Sequence, residues 1–489
     1  MLFWLLTGGM MVLFAIISSK LLYRVGIPTL LLFILLGMFV GEEGPLGFSF
    51  DNAQLAKEIC SFGLIFILFY GGFGMRWSKA RRVALPASLM ATVGVAVTAG
   101  SFGLLAAWVL RLPLLDGLIL GAVVSSTDAA CVFSILRTKK LNLKGGLASL
   151  LEMESGGNDP MSYLLTVTML SVVRGQGTTA AEILFGVFRQ FAFAAVIGAA
   201  ACVFAIVLLK RIKLEVDGLS PILVMALVVL CFAATEGVGG NGYLSVYILG
   251  VALGNARFAH RRSLVHFFDG ISWLVQIALF FTLGLLVTPS RMIAQAVPAL
   301  LCVLLLLLVA RPLATALILT PFKFRLRAQL LVAWAGLRGV ASIVFATFVL
   351  AAELPFAEQL FNLVFFICMA SILLQGSLLP FLARKLNLVN TRESVYKTFN
   401  DYPEEMHGKL VEVTVDEGHP WKNRSIIDAN IPESLLIVML HREGKTVTPK
   451  GSTVFSTGDK VVITSDDLEA LGKLSQGIYS DLETPGEED

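Results

Sequence analysis

Apolar residues along the first 385 positions fall into long runs separated by short clusters of charge or glycine. A helix needs about 20 mostly apolar residues to cross a bilayer, and thirteen runs of this kind lie near 2–19, 26–41, 59–75, 84–110, 113–136, 146–172, 182–209, 219–235, 240–256, 268–288, 292–320, 329–352 and 357–383. The break between the eighth and ninth is the least sharp, because Gly237, Gly239, Gly240 and Gly242 blur it. From Lys409 the period changes. Leu410–Val415, Leu435–Leu440 and Val461–Thr464 read as strands, Ser425–Asn430 and Asp466–Leu474 as short helices, and 428–432 and 444–451 as turns. The pattern predicts an all-α polytopic membrane domain of about 13 helices over 1–385, a linker at 386–407, a small α+β domain at 408–475 and an acidic, disordered tail at 476–489.

Composition and charge support this division. Only 15% of the 489 residues are charged and 56% are hydrophobic, with mean hydropathy +0.80. Soluble domains carry about 25% charged residues, so a soluble enzyme is excluded for most of the chain. The net charge of +3 conceals an asymmetry: 28 Lys and Arg stand against 16 Asp and Glu up to Lys385, and 10 against 19 after it. Alternate connections hold Lys20 and Arg24; Arg76, Lys79, Arg81 and Arg82; Arg137, Lys139, Lys140 and Lys144; Lys210, Arg211 and Lys213; Arg257, Arg261 and Arg262; Lys323, Arg325 and Arg327; and Arg384 and Lys385. The intervening ones hold only Lys57, Arg111, Arg174 and Arg291. Basic loops face the cytoplasm, which puts the N-terminus outside and the acidic C-terminal part inside. No basic segment precedes the first run, so it reads as an inserted span and not a cleaved signal. The six Cys all fall within apolar runs and no His does, which argues against a disulfide framework, a haem site or a histidine proton relay.

Ionisable groups inside a span are costly and mark functional sites by default. Those well inside are Asp128, Glu152, Glu154, Asp159, Arg189, Arg311 and Arg338. The sixth span reads Glu152-Met-Glu154-Ser155-Gly-Gly-Asn158-Asp159-Pro160, with Ser155 and Asp159, and Glu154 and Asn158, on neighbouring helix faces. Pro160 has no N–H and frees the carbonyl of Gly156, predicting a weakened helix that offers oxygen ligands. The fifth span carries Ser125-Ser126-Thr127-Asp128. Two carboxylates among hydroxyl, amide and carbonyl oxygens suit an alkali cation or a proton, and no thiolate or imidazole favours a transition metal. A lone serine in a span usually just bonds a neighbouring helix; two mid-span aspartates are not explained that way. Arg338 needs a counter-charge, and Glu154 is the candidate for a structural ion pair. Glu152, nearer the cytoplasmic end, reads as an entrance charge, and Arg189 and Arg311 as structural.

Thr127-Asp128, Glu154-Ser155-x-x-Asn158-Asp159 and Gly336-Leu-Arg338-Gly339, with Asn255, Phe267-Phe-Asp269-Gly and Trp273 as weaker matches, resemble the NhaP-type monovalent cation/proton antiporters. The resemblance covers nearly all of 1–385. It implies inverted repeats, broken helices that cross near Asp128 and in the twelfth span, and a homodimer. It also implies that Asp159 carries the cation or proton, that Asp128, Thr127 and Ser155 complete the site, and that Asn158 beside a single Asp goes with electroneutral one-for-one exchange. Several relatives place an acid where this chain has Tyr70, so a third carboxylate ligand is not carried over and Tyr70 is an accessory position.

Gly418-His-Pro-Trp-Lys422 and Gly458-Asp-Lys-Val461 resemble the TrkA-C (RCK-C) domain, which implies a regulatory or dimer-stabilising role and possible binding of a small ligand. The G-x-G-x-x-G loop of the dinucleotide-binding half is absent, so no NAD is expected; no other cofactor and no nucleic-acid partner is expected either. The two halves together resemble bacterial potassium/proton antiporters of the cell-volume-regulation type in the inner membrane. They favour K+ over Na+ exchange, with ion, pH or volume homeostasis as the role. A sodium/proton antiporter of the same fold is the nearest alternative. A regulated cation channel is a second, although no potassium-selectivity string is present. An intramembrane aspartyl protease is a third, but it lacks its own motifs and leaves Arg338 and Asn158 without a task.

Overall fold

The computed structural model describes residues 9, 13, 29–50, 52–139, 141–175, 179–211, 218–256, 261–390, 409–417, 419–429, 431, 435–442 and 445–465. The first expected span but for residues 9 and 13, the second short C-terminal helix, the linker beyond Asn390 and the acidic tail lie outside these residues. The chain divides into two units, Met1–Asn400 and Asp401–Asp489.

In the first unit the apolar runs form helices. These are α1 (Thr29–Val40), α2 (Ala53–Gly74), α3 (Ala84–Leu110), α4 (Leu114–Val124), α5 (Ala129–Thr138), α6 (Leu147–Val173) and α7 (Ala180–Arg211). They continue with α8 (Leu219–Gly237), α9 (Gly242–Asn255), α10 (Arg261–Leu286), α11 (Ala296–Leu319), α12 (Leu326–Trp334), α13 (Val340–Leu350) and α14 (Ala357–Lys385). Among the described residues, seven helices are long and apolar enough to cross a membrane, and α4 with α5, bent by 44° at their break, make an eighth. Helix α6 has the length, at 27 residues, but three carboxylates and a run of hydroxyl and amide side chains make it too polar to pass on composition. Its polar face is buried against other helices, which hydropathy along one segment does not register.

Two bundles result. Helices α1, α2, α7, α8, α9 and α10 pack on one another, and α3 to α6 pack with α11 to α14. Without a solvent-driven hydrophobic effect between helices in lipid, close backbone approach supplies the packing energy. Helix α9 lies on α2 at Gly250 and Gly254, where any Cβ would overlap the carbonyl oxygens of Phe69 and Phe73. The second bundle repeats an order of elements: a helix with one π turn (Met90–Gly94 in α3, Leu306–Ala310 in α11), then a broken helix (α4 and α5, α12 and α13), then a long helix (α6, α14). Pro160 does not interrupt α6. Its carbonyl accepts a hydrogen bond from Asn241 Nδ2 at 2.8 Å, so the oxygen is used in helix packing. The six cysteines are buried and free.

The second unit holds a four-stranded antiparallel sheet of β1 (Lys409–Thr414), β2 (Leu435–Arg442), β3 (Lys445–Val447) and β4 (Lys460–Ser465), in the order β1-β4-β2-β3. Val413, Val415, Trp421, Leu440, Phe455, Val461 and Ile463 form its core. Three strands fall where the sequence pattern puts them; β3 lies in the expected 444–451 turn region, because hairpin pairing of Leu440 with Val447 extends three residues into a strand too short to show a period. The helix expected at 425–430 is a turn. Ser425 and Asp428 hydrogen-bond each other, and the N–H groups of Ile426 and Ile427 donate to Thr453 and Gly451, which leaves no helical ladder to form.

Asp459 is fully buried beneath this sheet, where Arg442 meets it with two bonds of 2.7 Å and the Ser456 N–H adds a third. Burial by itself raises a carboxyl, but the bonds from Arg442 and Ser456 outweigh it and hold Asp459 below the usual carboxylate range. Its stabilising contribution is therefore full above the ordinary Asp value of about 3.9 and is lost as pH falls through the lower folded value. Arg442→Met leaves that charge unpaired and is expected to cost about 3 kcal/mol. Faster hydrogen exchange at the β2 and β4 amides of the full chain is the measurement, and unchanged protection would contradict the account.

Candidate functional site

The polypeptide leaves helical geometry twice in the second bundle, and the two breaks meet. At the first, Ser125 Oγ donates back to the Ala122 carbonyl at 2.7 Å and Asp128 takes an extended conformation, capping α5 by accepting from the Cys131 N–H. At the second, Ala335 to Gly339 separate α12 from α13. The Asp128 N–H donates to the Leu337 carbonyl at 2.8 Å, so the breaks are joined backbone to backbone. Gly339 is required here, because a Cβ at that position would overlap the Asp128 side chain.

Arg338 completes the crossing. Its Nη1 donates to the carbonyls of Ser125 at 2.9 Å and Ser126 at 2.8 Å, and its own N–H donates to Ser371 Oγ at 3.0 Å. The guanidinium is 2% exposed and sits at the C-terminal end of α4, where unsatisfied carbonyls carry partial negative charge. The expected Glu154 to Arg338 ion pair is therefore corrected: Glu154 Oε1 takes its bond from Arg311 Nη1 at 2.8 Å, with both side chains buried. Backbone carbonyls, not a carboxylate, are the hydrogen-bond partners of Arg338 Nη1, and its Nη2 is buried without a partner among the described residues.

Helix α6 lines the other side of the first break. Ser126 donates to Asp159 Oδ1, and Asn158 Nδ2 donates to Thr127 Oγ1. Ser155 Oγ receives the Ala129 N–H at 2.8 Å and donates to the Thr127 carbonyl at 2.7 Å. Thr127, Asp128, Ser155, Asn158 and Asp159 are thus brought together, as the sequence expects. Nothing among the described residues donates to Asp159 Oδ2, and Asn158 Oδ1 is buried without a partner.

Thr127, Asp128, Ser155 and Asp159 border a cavity of about 320 Å³ lined also by Tyr70, Arg137, Glu152, Asp269, Ser272 and Gln276, while Ser126 and Asn158 stand behind its wall. Four carboxylates face one guanidinium among the lining residues, which gives the cavity a cation-attracting field. Along α6 it runs from Glu152 to Asp159. One turn further, Tyr163 meets Tyr243 edge-on at 4.7 Å and Phe348 at 5.5 Å, and Tyr243 meets Phe232 at 5.0 Å. This aromatic layer joins the two bundles one turn beyond the stretch of α6 that lines the cavity.

Tyr70 stands in the cavity wall and donates to Asp269 Oδ1 at 3.0 Å. Asp269, Ser272 and Gln276 share one face of α10, and Gln276 Nε2 donates to Ser272 Oγ at 2.9 Å. Sequence reading placed Asp269 only in a weak motif at the start of a span; the polar spacing 269, 272, 276 was the signal available. Ser126 was likewise noted only within its cluster. Asn255, the other weak match, is a tether: it accepts from the Trp77 N–H and donates to the Met75 carbonyl, both at 2.9 Å. No cluster of three or more His, Cys, Asp or Glu able to hold a metal ion is found among the described residues.

Crossed broken helices around two membrane-depth aspartates and an acidic cavity define a secondary carrier for small cations. Residues 9–385 match the family described as sodium/hydrogen exchanger, transmembrane, and residues 410–476 match the TrkA-C domain. The chain belongs to the sodium/hydrogen exchanger family. It is 35% identical over 462 residues to the K(+)/H(+) antiporter NhaP of Alkalimonas amylolytica, covering 94% of this chain and 80% of that one. It is 36% identical to the K(+)/H(+) antiporter NhaP2 of Shewanella oneidensis, covering 96% and 82%. The structure of the sodium proton antiporter MjNhaP1 from Methanocaldococcus jannaschii at pH 8 matches with a TM-score of 0.67 at 25% identity, over 78% of this chain and 97% of that one.

Two outcomes test the geometry. In a double-mutant cycle read by thermal unfolding in detergent, Glu154→Gln and Arg311→Met should each cost about 3 to 5 kcal/mol and couple strongly, while Glu154→Gln and Arg338→Met, which share no hydrogen bond, should couple more weakly. Gly339→Ala should displace Asp128 and lower transport at least about tenfold, as misplacement of about 1 Å does at other sites, in protein that still reaches the membrane; wild-type rates would contradict the close approach.

Proposed function

We propose that this protein exchanges K+ for H+, one for one, by competition at Asp159. Cation/proton exchange is the activity of its family relatives and follows here from a carboxylate that two charges cannot share. The observation that carries the reading is Asp159 itself: Ser126 holds one carboxylate oxygen, and the other has no donor among the described residues, at a cavity wall. A cation or a proton takes that oxygen. Thr127, Ser155 and Asn158 supply neutral oxygens, Asp128 adds a nearby negative charge, and Glu152 and Asp269 attract cations toward the site. With Asn158 uncharged, each turnover moves one positive charge in each direction.

K+ is favoured over Na+ because the curated relatives above are named as potassium/proton antiporters and are matched over most of their length. The cavity runs toward the helix ends that precede the basic loops at 76–82 and 137–144, which supports a cytoplasmic opening under the positive-inside rule. The aromatic layer at Tyr163 is then the closed outer side, and exchange requires the two bundles to shift so that access alternates. A homodimer in a bacterial inner membrane, with the N-terminus periplasmic and the TrkA-C domain cytoplasmic and regulated by a small ligand, completes the proposal.

Proteoliposomes loaded with a pH dye, with the membrane potential clamped, test it. On addition of external K+, wild-type protein should alkalinise the lumen as K+ enters and H+ leaves, independently of the clamped potential, and Asp159→Asn should abolish the response. Persistent exchange in Asp159→Asn would refute the assignment, and a rate that follows the potential would refute the stoichiometry.

A further inference from the structure

The two site aspartates are not equivalent, and the difference lies in one residue, through its backbone N–H and its side chain together. Cys131 meets both carboxylate oxygens of Asp128: its N–H donates to Oδ1 at 3.2 Å and its S–H to Oδ2 at 3.0 Å. Asp128 is also fixed through its backbone, donating to Leu337, and its side chain lies where Gly339 leaves room. A second thiol, Cys368 on α14, donates to the Gly339 carbonyl at 3.5 Å and secures the opposite wall. Asp159 has no such double engagement. Both Asp128 and Cys131 line the cavity, so a cation at Asp159 lies near a carboxylate whose oxygens are already committed to α5.

We infer that Cys131 is a specificity-determining residue: its thiol turns Asp128 toward the start of α5 and so limits the site to one directly ligating carboxylate. The physical consequence is ion size. Contact energy between unit charges varies inversely with their separation, so a second contacting carboxylate benefits a small cation more than a large one. With a single contacting carboxylate, the greater cost of stripping water from the small ion dominates, and the larger K+ or Rb+ is preferred to Na+ or Li+. The side chain acts through Asp128 and need not touch the cation.

This rests on the reading of Asp159 as the exchanged carboxylate, and the test separates the two. Full-length protein in proteoliposomes is assayed with K+ and Na+ in turn for wild type, Cys131→Ala, Cys131→Val and Cys131→Ser. Loss of a hydrogen bond to a charged group is expected to shift the ratio of the apparent KM for Na+ to that for K+ about three- to tenfold toward Na+ in the Ala and Val variants. The Ser variant, which keeps a donor, should retain the wild-type ratio. An unchanged ratio in Ala and Val, or a Ser variant that shifts as they do, overturns the inference. If wild type moves no protons with either cation, the functional reading fails instead. Infrared difference spectra between wild type and Cys131→Ser serve if the Ala and Val variants do not fold: a lowered S–H stretch supports the bond to Asp128, and a stretch at the free-thiol position overturns it.

Discussion

A backbone that leaves helical geometry at membrane depth has N–H and C=O groups that lipid cannot satisfy, at several kcal/mol each. This fold meets that constraint by crossing two breaks and letting each serve the other. Asp128 N–H bonds Leu337, Arg338 bonds the carbonyls of Ser125 and Ser126, and Ser155 takes the Ala129 N–H. The placement of Asp128, Thr127 and Ser126 beside Asp159 follows from these bonds. The site is therefore a product of the way the breaks are satisfied, and its geometry cannot change without leaving backbone groups unpaired.

The buried charges divide according to their partners. Glu154 and Arg311 neutralise each other away from the cavity, and Arg338 is committed to carbonyls. None of the three lines the cavity, whose own charged groups are Asp128, Asp159, Glu152 and Asp269 against Arg137. Two positive side chains at the crossing would otherwise repel the cation that the site has to admit. The aromatic contacts of Tyr163 with α9 and α13 tie the two bundles together one turn beyond Asp159.

Much of this was legible in the chain. Apolar runs near 20 residues mark helices because bilayer thickness fixes their length, and the scarcity of charge within them isolates Asp128, Glu152, Glu154, Asp159, Arg189, Arg311 and Arg338. The three longer strands of the C-terminal domain were legible because Leu410–Val415 alternates at period two and Leu435–Leu440 and Val461–Thr464 are short apolar runs between turn residues; β3, at three residues, is too short for either signal. The turn at Ser425 shows the opposite case, where a segment of acceptable helix propensity is held by backbone bonds to residues more than twenty positions away.

The sequence by itself determined which groups are expensive to bury and so must have a purpose, since that cost depends on residue type and depth alone. Only the tertiary structure decided the partners. It gave Glu154 to Arg311 and Arg338 to two carbonyls, drew Asp269 to Tyr70 across the cavity, and set a thiol against Asp128. Pairing depends on which side chains the helix crossings bring within about 3 Å, and one-dimensional spacing carries no information about contacts between helices that lie far apart in the chain.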